Sequence, residues 1–245
     1  MKNEPYYLAY ENRYKNVFAA GVDRWGHLPN DKKLVPALTN WVENNNLKGK
    51  RIIEFACGEG AGGEILSEVG CIYHGVDIAP SAIEKSKKVL ERYPNACVSV
   101  LDMVNEQIVY KYDAAVDIMG FHMLVLDDDR SKYLKNAFNC LKNGAPMLFL
   151  KQSYRRNAPA SNEKIESIEQ WTAITGEDYN TPQPRTAQQN GMNIEVNIPL
   201  VPARAKNKEG YIKEFEDIGF MVDDFIEMET DEAILYSASI YVRKP

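Results

Sequence analysis

The chain contains 245 residues, of which 44% are apolar and 26% are charged, and its formal net charge at pH 7 is −6. This composition is typical of an ordinary globular domain and excludes long disordered or low-complexity regions. The negative charge also argues against a surface that holds nucleic acid or an anionic membrane.

Strands and helices alternate in the predicted order from residue 31 to residue 151. Asp31 is placed to cap a helix over 31–46, in which apolar residues recur at helical spacing. The next segments predict strands over 51–56, 72–76, 96–101, 112–119 and 146–151, separated by helices over 64–69, 80–92 and 130–141. This alternation predicts a parallel sheet with helices on both faces and a ligand site beyond the carboxyl ends of the strands.

Residues 153–206 break this regularity. They contain five of the twelve prolines, a helix-like stretch over 163–174 and an alternating, strand-like segment over 192–201. We expect them to form a cap inserted into a single domain of residues 1–245, in which residues 1–30 form an N-terminal lid. A helix closed by Gly219 and two strands over 220–229 and 233–243, joined by a turn at Thr230 and Asp231, then complete the chain.

Several common features are missing from the sequence. No apolar run reaches 18 residues and the N-terminal segment lacks the apolar core of a secretory signal, so we expect a cytoplasmic protein with no membrane partner. The four cysteines are widely spaced, which predicts reduced, buried thiols and no metal site: Cys57, Cys71, Cys97 and Cys140. Sequences of the GxxxxGK[ST], GxSxG and HExxH types are absent as well.

A glycine-rich turn follows the first predicted strand. Its Gly58-x-Gly60-x-x-Gly63 pattern fits the dinucleotide fingerprint literally, but an ordinary strand–helix turn produces the same match. Acidic residues at the ends of the first three strands are more specific: Glu54, Asp77 and Asp102. In a parallel sheet they would share one crevice, where they suit a positive charge, ribose hydroxyls and an exocyclic amine, and would repel a pyrophosphate.

Five segments of the chain resemble, in order and spacing, the motifs of class I S-adenosylmethionine-dependent methyltransferases. They are 52–60 (IIEFACGEG), 75–80 (GVDIAP), 101–103 (LDM), 112–124 (YDAAVDIMGFHML) and 141–149 (LKNGAPMLF). The resemblance covers most of the chain outside residues 1–30 and the cap, and it departs at Ala56, where glycine is commoner. It implies an α/β, Rossmann-like three-layer sandwich with a mostly parallel seven-stranded sheet and an antiparallel C-terminal hairpin.

The same resemblance implies S-adenosylmethionine as cofactor, S-adenosylhomocysteine as product, and a set of contacts for them. Glu54 would contact the amino group of the methionine part, Asp77 the ribose hydroxyls and Asp102 the adenine amine. The other expected contacts are Ala56, Gly58, Gly60, Ile78, Met103, Asp117 and Ile118.

Two further site residues are predicted with an alternative each. His122, just past the fourth strand, is the best candidate for a general base, although a packed loop histidine would look the same. Tyr14 belongs to a tyrosine-rich N-terminal segment that either docks as an apolar stripe or covers a sulfonium as an aromatic lid. In the cap, arginines would either meet an anionic substrate or face solvent: Arg155, Arg156, Arg185 and Arg204.

These features favour an enzyme that moves a methyl group to a nitrogen, oxygen or sulfur atom of a small molecule by in-line displacement. Residues 117–120 read Asp-Ile-Met-Gly instead of the [DN]PP[YF] segment common in amino-methylation of bases, which disfavours a nucleic-acid substrate. The alternatives are an NAD(P)-dependent Rossmann oxidoreductase, a methyltransferase acting on RNA or protein, and a non-catalytic cofactor-binding protein. The acceptor and the oligomeric state are left open.

Overall fold

The computed structural model describes residues 5–22, 24–25, 30–158, 163–176, 181–189, 192–199, 202–229 and 236–245. Its helices are α1 (Ala9–Ala19), α2 (Leu34–Asn44), α3 (Ala61–Glu68), α4 (Pro80–Leu90), α5 (Asp127–Cys140), α6 (Ile168–Thr175) and α7 (Lys208–Ile218). Its strands are β1 (Arg51–Phe55), β2 (Ile72–Asp77), β3 (Ala96–Val100), β4 (Ala114–Ile118), β5 (Pro146–Ser153), β6 (Pro182–Gln189), β7 (Met192–Pro199), β8 (Met221–Glu229) and β9 (Tyr236–Arg243). Short 3-10 turns cover Tyr6–Leu8 and Phe121–Met123.

Seven strands form the central sheet, in the order β3-β2-β1-β4-β5-β9-β8. The first five run parallel, whereas β9 lies antiparallel to both β5 and β8. This arrangement confirms the predicted mostly parallel sheet and its antiparallel C-terminal hairpin. In an all-parallel dinucleotide-binding sheet, no strand runs opposite to its neighbours as β9 does here.

An apolar layer packs on each face of the sheet, so the central strands are buried on both sides. Ile53 and Phe55 of β1 pack on one side with residues of α5 and α7, whereas Ile52 points to the other side with residues of α2, α3 and α4. This alternation follows from the twofold period of a strand. The N-cap of α2 is Lys33 and not Asp31 as predicted, because the helix begins only at Leu34; Asp31 still supports the helix start, since its Oδ1 accepts hydrogen bonds from the amides of Lys33 (2.8 Å) and Leu34 (2.9 Å).

The cap contains a second, two-stranded sheet of β6 and β7. The sequence predicted β7 but not β6, because Pro182 and Pro184 are unusual in a strand. In a two-stranded hairpin both strands are edge strands, and an edge strand tolerates proline because an outward-facing amide has no partner to lose. The helix predicted over 163–174 begins only at Ile168, after Ser167 caps its first turn. The predicted turn at Thr230 and Asp231 lies outside the described residues.

The N-terminal helix and the cap hairpin pack against each other. Buried residues from both form one cluster, namely Val17, Val22, Ala187, Val196 and Ile198. The lid and the cap predicted as two separate pieces therefore share a small core.

Three of the four cysteines are buried, and all four thiols are unpaired. The prediction of a buried thiol is wrong for Cys97, which is exposed because β3 is an edge strand whose outer face is open. None of the helices in the described ranges has the length and hydropathy needed to cross a membrane.

Candidate functional site

A cavity of about 1800 Å³ lies beyond the carboxyl ends of the parallel strands, between the sheet and the lid and cap. All but two of the sequence-predicted site residues line it. The lining members are Tyr14, Glu54, Ala56, Gly58, Asp77, Ile78, Asp102, Met103, Ile118 and His122. Residues far apart in the chain thus meet at one site, as the strand order requires.

The turn after β1 has an unusual backbone that explains its small residues. Ala56 and Gly58 both have positive φ values, 54° and 51°. A Cβ on Gly120 would lie only 2.4 Å from the Cβ of Ala56, so the two chain segments approach as closely as their side chains allow. The amide of Ala56 also donates to Sδ of Met103 at 3.1 Å. A residue larger than alanine at position 56 would push these segments apart.

Asp77 ties the glycine turn to the end of β2. Its two carboxylate oxygens accept hydrogen bonds from the amides of Gly58 (2.8 Å) and Ala79 (2.9 Å). Burial raises the pKa of Asp77 to about 6, and these donors oppose the rise. The carboxylate is therefore mostly ionised at neutral pH and held in one orientation at the cavity wall.

Glu54 is buried at the end of β1 and accepts a 2.6 Å hydrogen bond from the Tyr73 hydroxyl. Burial raises its pKa to about 8, and the nearby carboxylates of Asp117 and Asp77 add to the rise. Gly62 leaves room for it, since a Cβ there would lie 2.6 Å from both carboxylate oxygens. A carboxyl group with this pKa gains from the arrival of a cation.

Asp102 anchors the loop after β3. Its carboxylate accepts from the amides of Val104 (3.0 Å) and Asn105 (3.1 Å) and from the Asn105 side chain (2.9 Å). The hydroxyl of Tyr7 approaches it at 3.4 Å. Because a carboxylate can accept about four hydrogen bonds, a ligand amine could replace the long contact from Tyr7.

The N-terminal helix covers the cavity from the lid side. The Tyr14 hydroxyl lies 2.9 Å from where a Cβ on Gly58 would be, so it reaches the glycine turn. Glu11 fastens the helix to the start of α4, where Ser81 donates to it from its amide (3.0 Å) and hydroxyl (2.8 Å). The hydroxyl of Tyr10 lines the cavity, is buried and has no hydrogen-bond partner among the described residues. The helix is therefore docked on the domain, and Tyr10 and Tyr14 on it line the cavity; an aromatic cover over a sulfonium stays a prediction.

His122 is buried beside the cavity, and its ring orientation is determined by Gln152. The Gln152 Oε1 accepts from the His122 amide (3.0 Å) and faces His122 Nδ1 at 3.2 Å, while its Nε2 donates to Asp117 (2.7 Å) and to the Leu150 carbonyl (3.1 Å). The backbone amide of His122 can only donate and the carbonyl of Leu150 can only accept, so the Gln152 oxygen must face His122 and its nitrogen must face Leu150. Nδ1 of His122 must then carry the proton, and Nε2 the lone pair.

Burial also makes His122 a weak base. It lowers the pKa of the imidazole to about 4, and the positive charge of Arg130 adds to this effect, whereas the Gln152 contact opposes it. The ring is therefore neutral at physiological pH and can accept a hydrogen bond through Nε2.

Gly60 and Asp117 are the two predicted site residues that are not part of the cavity wall. Gly60 caps α3 with a left-handed backbone (φ 86°). The fully buried Asp117 accepts from the amides of Gly120 (2.9 Å) and Phe121 (3.1 Å), from Gln152, and from the Tyr133 hydroxyl. These four hydrogen bonds connect Asp117 to the loop after β4, to β5 and to α5, and its contact with the methionine end stays a prediction.

Sequence reasoning missed Gln152 and Arg13 as residues of this region. Gln152 follows Lys151, whose φ of 55° accompanies a break in the β5–β9 register, and such a bulge redirects a side chain. The only signal was a polar residue directly after an apolar strand. Across the described ranges, no cluster of His, Cys, Asp or Glu could hold a metal ion.

Comparison with known proteins agrees with this geometry. Residues 53–147 match the family model described as a methyltransferase domain. A solved S-adenosylmethionine-dependent methyltransferase from Clostridium acetobutylicum ATCC 824 is 16% identical, with a TM-score of 0.65 over 97% of this chain and 98% of its own. No curated protein matches the sequence.

Two other solved structures share the fold. The CcbJ methyltransferase from Streptomyces caelestis has 13% identity and a TM-score of 0.63, covering 95% of this chain and 98% of its own. Magnesium protoporphyrin IX methyltransferase from Synechocystis PCC 6803, with bound S-adenosylhomocysteine, has 12% identity and a TM-score of 0.63, covering 98% and 97%. At these identities the likeness establishes the fold.

Proposed function

We propose that this chain, which carries a methyltransferase domain in the class I fold, moves the methyl group of S-adenosylmethionine to a nitrogen, oxygen or sulfur atom of a small molecule. The observation that carries the proposal is the set of three acids, Glu54, Asp77 and Asp102, on the wall of one cavity. A solved neighbour with bound S-adenosylhomocysteine supports the choice of cofactor.

The residues at this end of the cavity fit the cofactor. The carboxyl of Glu54, with its raised pKa, suits an ammonium or sulfonium, because a nearby cation would stabilise its ionised form. Gly58 and Gly62 have no Cβ, which allows the Tyr14 hydroxyl and the Glu54 carboxylate to approach the glycine turn closely. The buried Tyr10 hydroxyl without a partner among the described residues is a further polar group that a ligand would satisfy.

Each predicted contact has a definite task in this proposal. Glu54 would bind the amino group of the methionine part, Asp77 the ribose hydroxyls and Asp102 the adenine amine. Ile78, Met103 and Ile118 supply apolar surface on the same wall. When bound, the cofactor supplies an activated methyl group, so the protein has only to orient the acceptor and exclude water.

His122 is the catalytic residue of this proposal. Its Nε2 lone pair, oriented by Gln152, would accept a hydrogen bond from the attacking group of the acceptor and align it. An imidazole with a pKa near 4 cannot deprotonate an ammonium group, but it can take the proton of a hydroxyl, which becomes strongly acidic once the oxygen is methylated. Among the three atom types, a hydroxyl oxygen therefore suits His122 best.

Thermal unfolding with added ligands tests the proposal. We expect S-adenosylhomocysteine at 100 times its Kd to stabilise the protein by about 2.7 kcal/mol, and NAD(P) to have no effect. Incubation of the protein with methyl-deuterated S-adenosylmethionine and a panel of hydroxylated, amino and thiol compounds should yield a labelled product. Stabilisation by NAD(P) alone would refute the proposal, and cofactor binding without any turnover would support a non-catalytic role.

A further inference from the structure

The arginines of the lid and cap separate into two groups. Arg204 is buried and structural, with Asp127 at 3.1 Å and the Val125 carbonyl at 2.9 Å. Arg156 is exposed and pairs with Glu227 at 2.9 Å. Arg155, Arg156 and Arg185 all line the cavity, but unlike Arg156, neither Arg155 nor Arg185 forms a salt bridge with a carboxylate in the described part of the chain.

A further arginine, Arg13 of α1, lines the same cavity. Its guanidinium carbon lies 4.7 Å above the ring of Trp25, and its buried Nε has no hydrogen-bond partner among the described residues. Burial lowers the pKa of Arg13, and the like charge of Arg185 lowers it further. Two guanidinium groups that repel each other beside a cavity are stabilised when an anion binds between them.

The packing of the lid holds this arginine pair in place. Arg13 lies on α1, and Arg185 lies on β6 of the cap hairpin. The helix and the hairpin pack against each other through the apolar cluster that includes Val17, Ala187 and Ile198. The cavity acid Glu227 interacts with other partners, since it accepts hydrogen bonds from Tyr154 (2.8 Å) and Arg156 (2.9 Å). The positive charge therefore belongs to the covering side of the cavity and the negative charge to the strand ends.

We propose that the acceptor carries a carboxylate group, which Arg13 and Arg185 bind while the nucleophile faces His122. This inference rests on the proposed function and specifies its substrate class. A planar carboxylate can accept two parallel hydrogen bonds from a guanidinium. A neutral amide has one oxygen acceptor and no charge, so it binds a guanidinium more weakly. The carboxylate of the cofactor's methionine part has the same chemistry, so the test must separate the two sources.

The test compares matched pairs of probes on protein saturated with S-adenosylhomocysteine and on free protein. Isothermal titration would measure the Kd of hydroxybenzoates and hydroxyphenylpropionates and of the corresponding carboxamides. We expect at least one carboxylate to bind about tenfold more tightly than its amide. Arg185→Gln should reduce this preference to about onefold, whereas the matched control Arg156→Gln should retain it.

Three results would overturn the inference. One is equal binding of every carboxylate and its amide to the wild-type protein. Another is a preference that Arg185→Gln leaves intact while S-adenosylhomocysteine binds as before, and the last is an intact preference with weaker binding of S-adenosylhomocysteine to this variant, which would assign the arginines to the cofactor. Failure of the proposed function is seen separately, as absence of S-adenosylhomocysteine binding to the wild-type protein.

Discussion

The two sides of the cavity are built in different ways. On the strand side, the site residues follow β1, β2 and β3, whose register brings their carboxyl ends together: Phe55 lies opposite Val76, and Asp77 opposite Val100. On the covering side, Arg13 and Arg185 come from segments separated by most of the chain. Sheet hydrogen bonds determine the first set, whereas a small apolar cluster between α1 and the hairpin determines the second.

This difference explains how each side serves its ligand. Rigid strand ends suit a cofactor that is the same in every turnover, while a loosely supported cover can vary with the acceptor. The strand-side residues are also recognisable in the sequence, because each lies at the end of an apolar strand. The predictions below test whether the two sides behave as separate units.

The largest effect is expected from Asp77→Asn. An amide at this position keeps the shape but loses the charge, and its NH₂ group opposes either the Gly58 or the Ala79 amide. The variant thus loses one of these two hydrogen bonds and the charge that would strengthen the bonds to the ribose hydroxyls, which predicts about 100-fold weaker binding of S-adenosylhomocysteine by isothermal titration. Asp113→Asn is the control, since Asp113 caps the opposite end of the sheet by accepting from the Arg51 amide (2.9 Å). Binding within threefold of the wild type would contradict the role of Asp77.

The second prediction concerns pH and Glu54. A carboxyl with a pKa of about 8 in the free protein must ionise to bind an ammonium group. Affinity for S-adenosylhomocysteine should therefore rise with pH, by up to about tenfold per unit, until about pH 8. Glu54→Gln should bind weakly and without this slope between pH 6.5 and 8. A wild-type affinity that is constant over this range would contradict the assignment.

The same residue predicts an opposite effect on stability. Its folded pKa lies above the unfolded value of about 4.3, so the folded state holds the proton more tightly and stability falls as pH rises between these values. Glu54→Gln should raise Tm at pH 8 and leave it unchanged near pH 4, as measured by calorimetry. A lower Tm at pH 8 would show that the charge of Glu54 is stabilised by its surroundings.

The sequence allowed prediction of the sheet and most of the strand-side wall, since apolar strands and the glycine turn are local signals. It could not predict Gln152, because a bulge after Leu150 brings this side chain to His122. The β6 strand was hidden by Pro182 and Pro184, so the Arg13–Arg185 pair was hidden too. Asp117 shows the limit of motif matching: it lies at the expected strand end, but its hydrogen bonds face inward.

The fourth prediction concerns the His122–Gln152 contact, and it can be tested without an acceptor substrate. The ¹⁵N chemical shifts of the imidazole should show Nδ1 protonated, Nε2 unprotonated and a pKa near 4. Gln152→Leu removes the contact that raises this pKa and should lower the pKa further, and without an acceptor for its proton Nδ1 should no longer be the preferred protonated nitrogen. A wild-type ring protonated on Nε2 would remove the proposed hydrogen-bond acceptor.

The smallest effect should follow from loosening the cover. Ile198 is buried between the hairpin and α1, and Ile198→Ala removes contacts that connect them. Because this cluster is small and separate from the two layers around the sheet, the variant should open the cover locally and leave the core intact. Hydrogen exchange should become several-fold faster in β6, β7 and α1 together, with no change in β1 or β4. Ile226→Ala, at an exposed position on β8, is the control. Faster exchange in the hairpin alone would show that lid and cap move independently, and the arginine pair would then form only when both are closed.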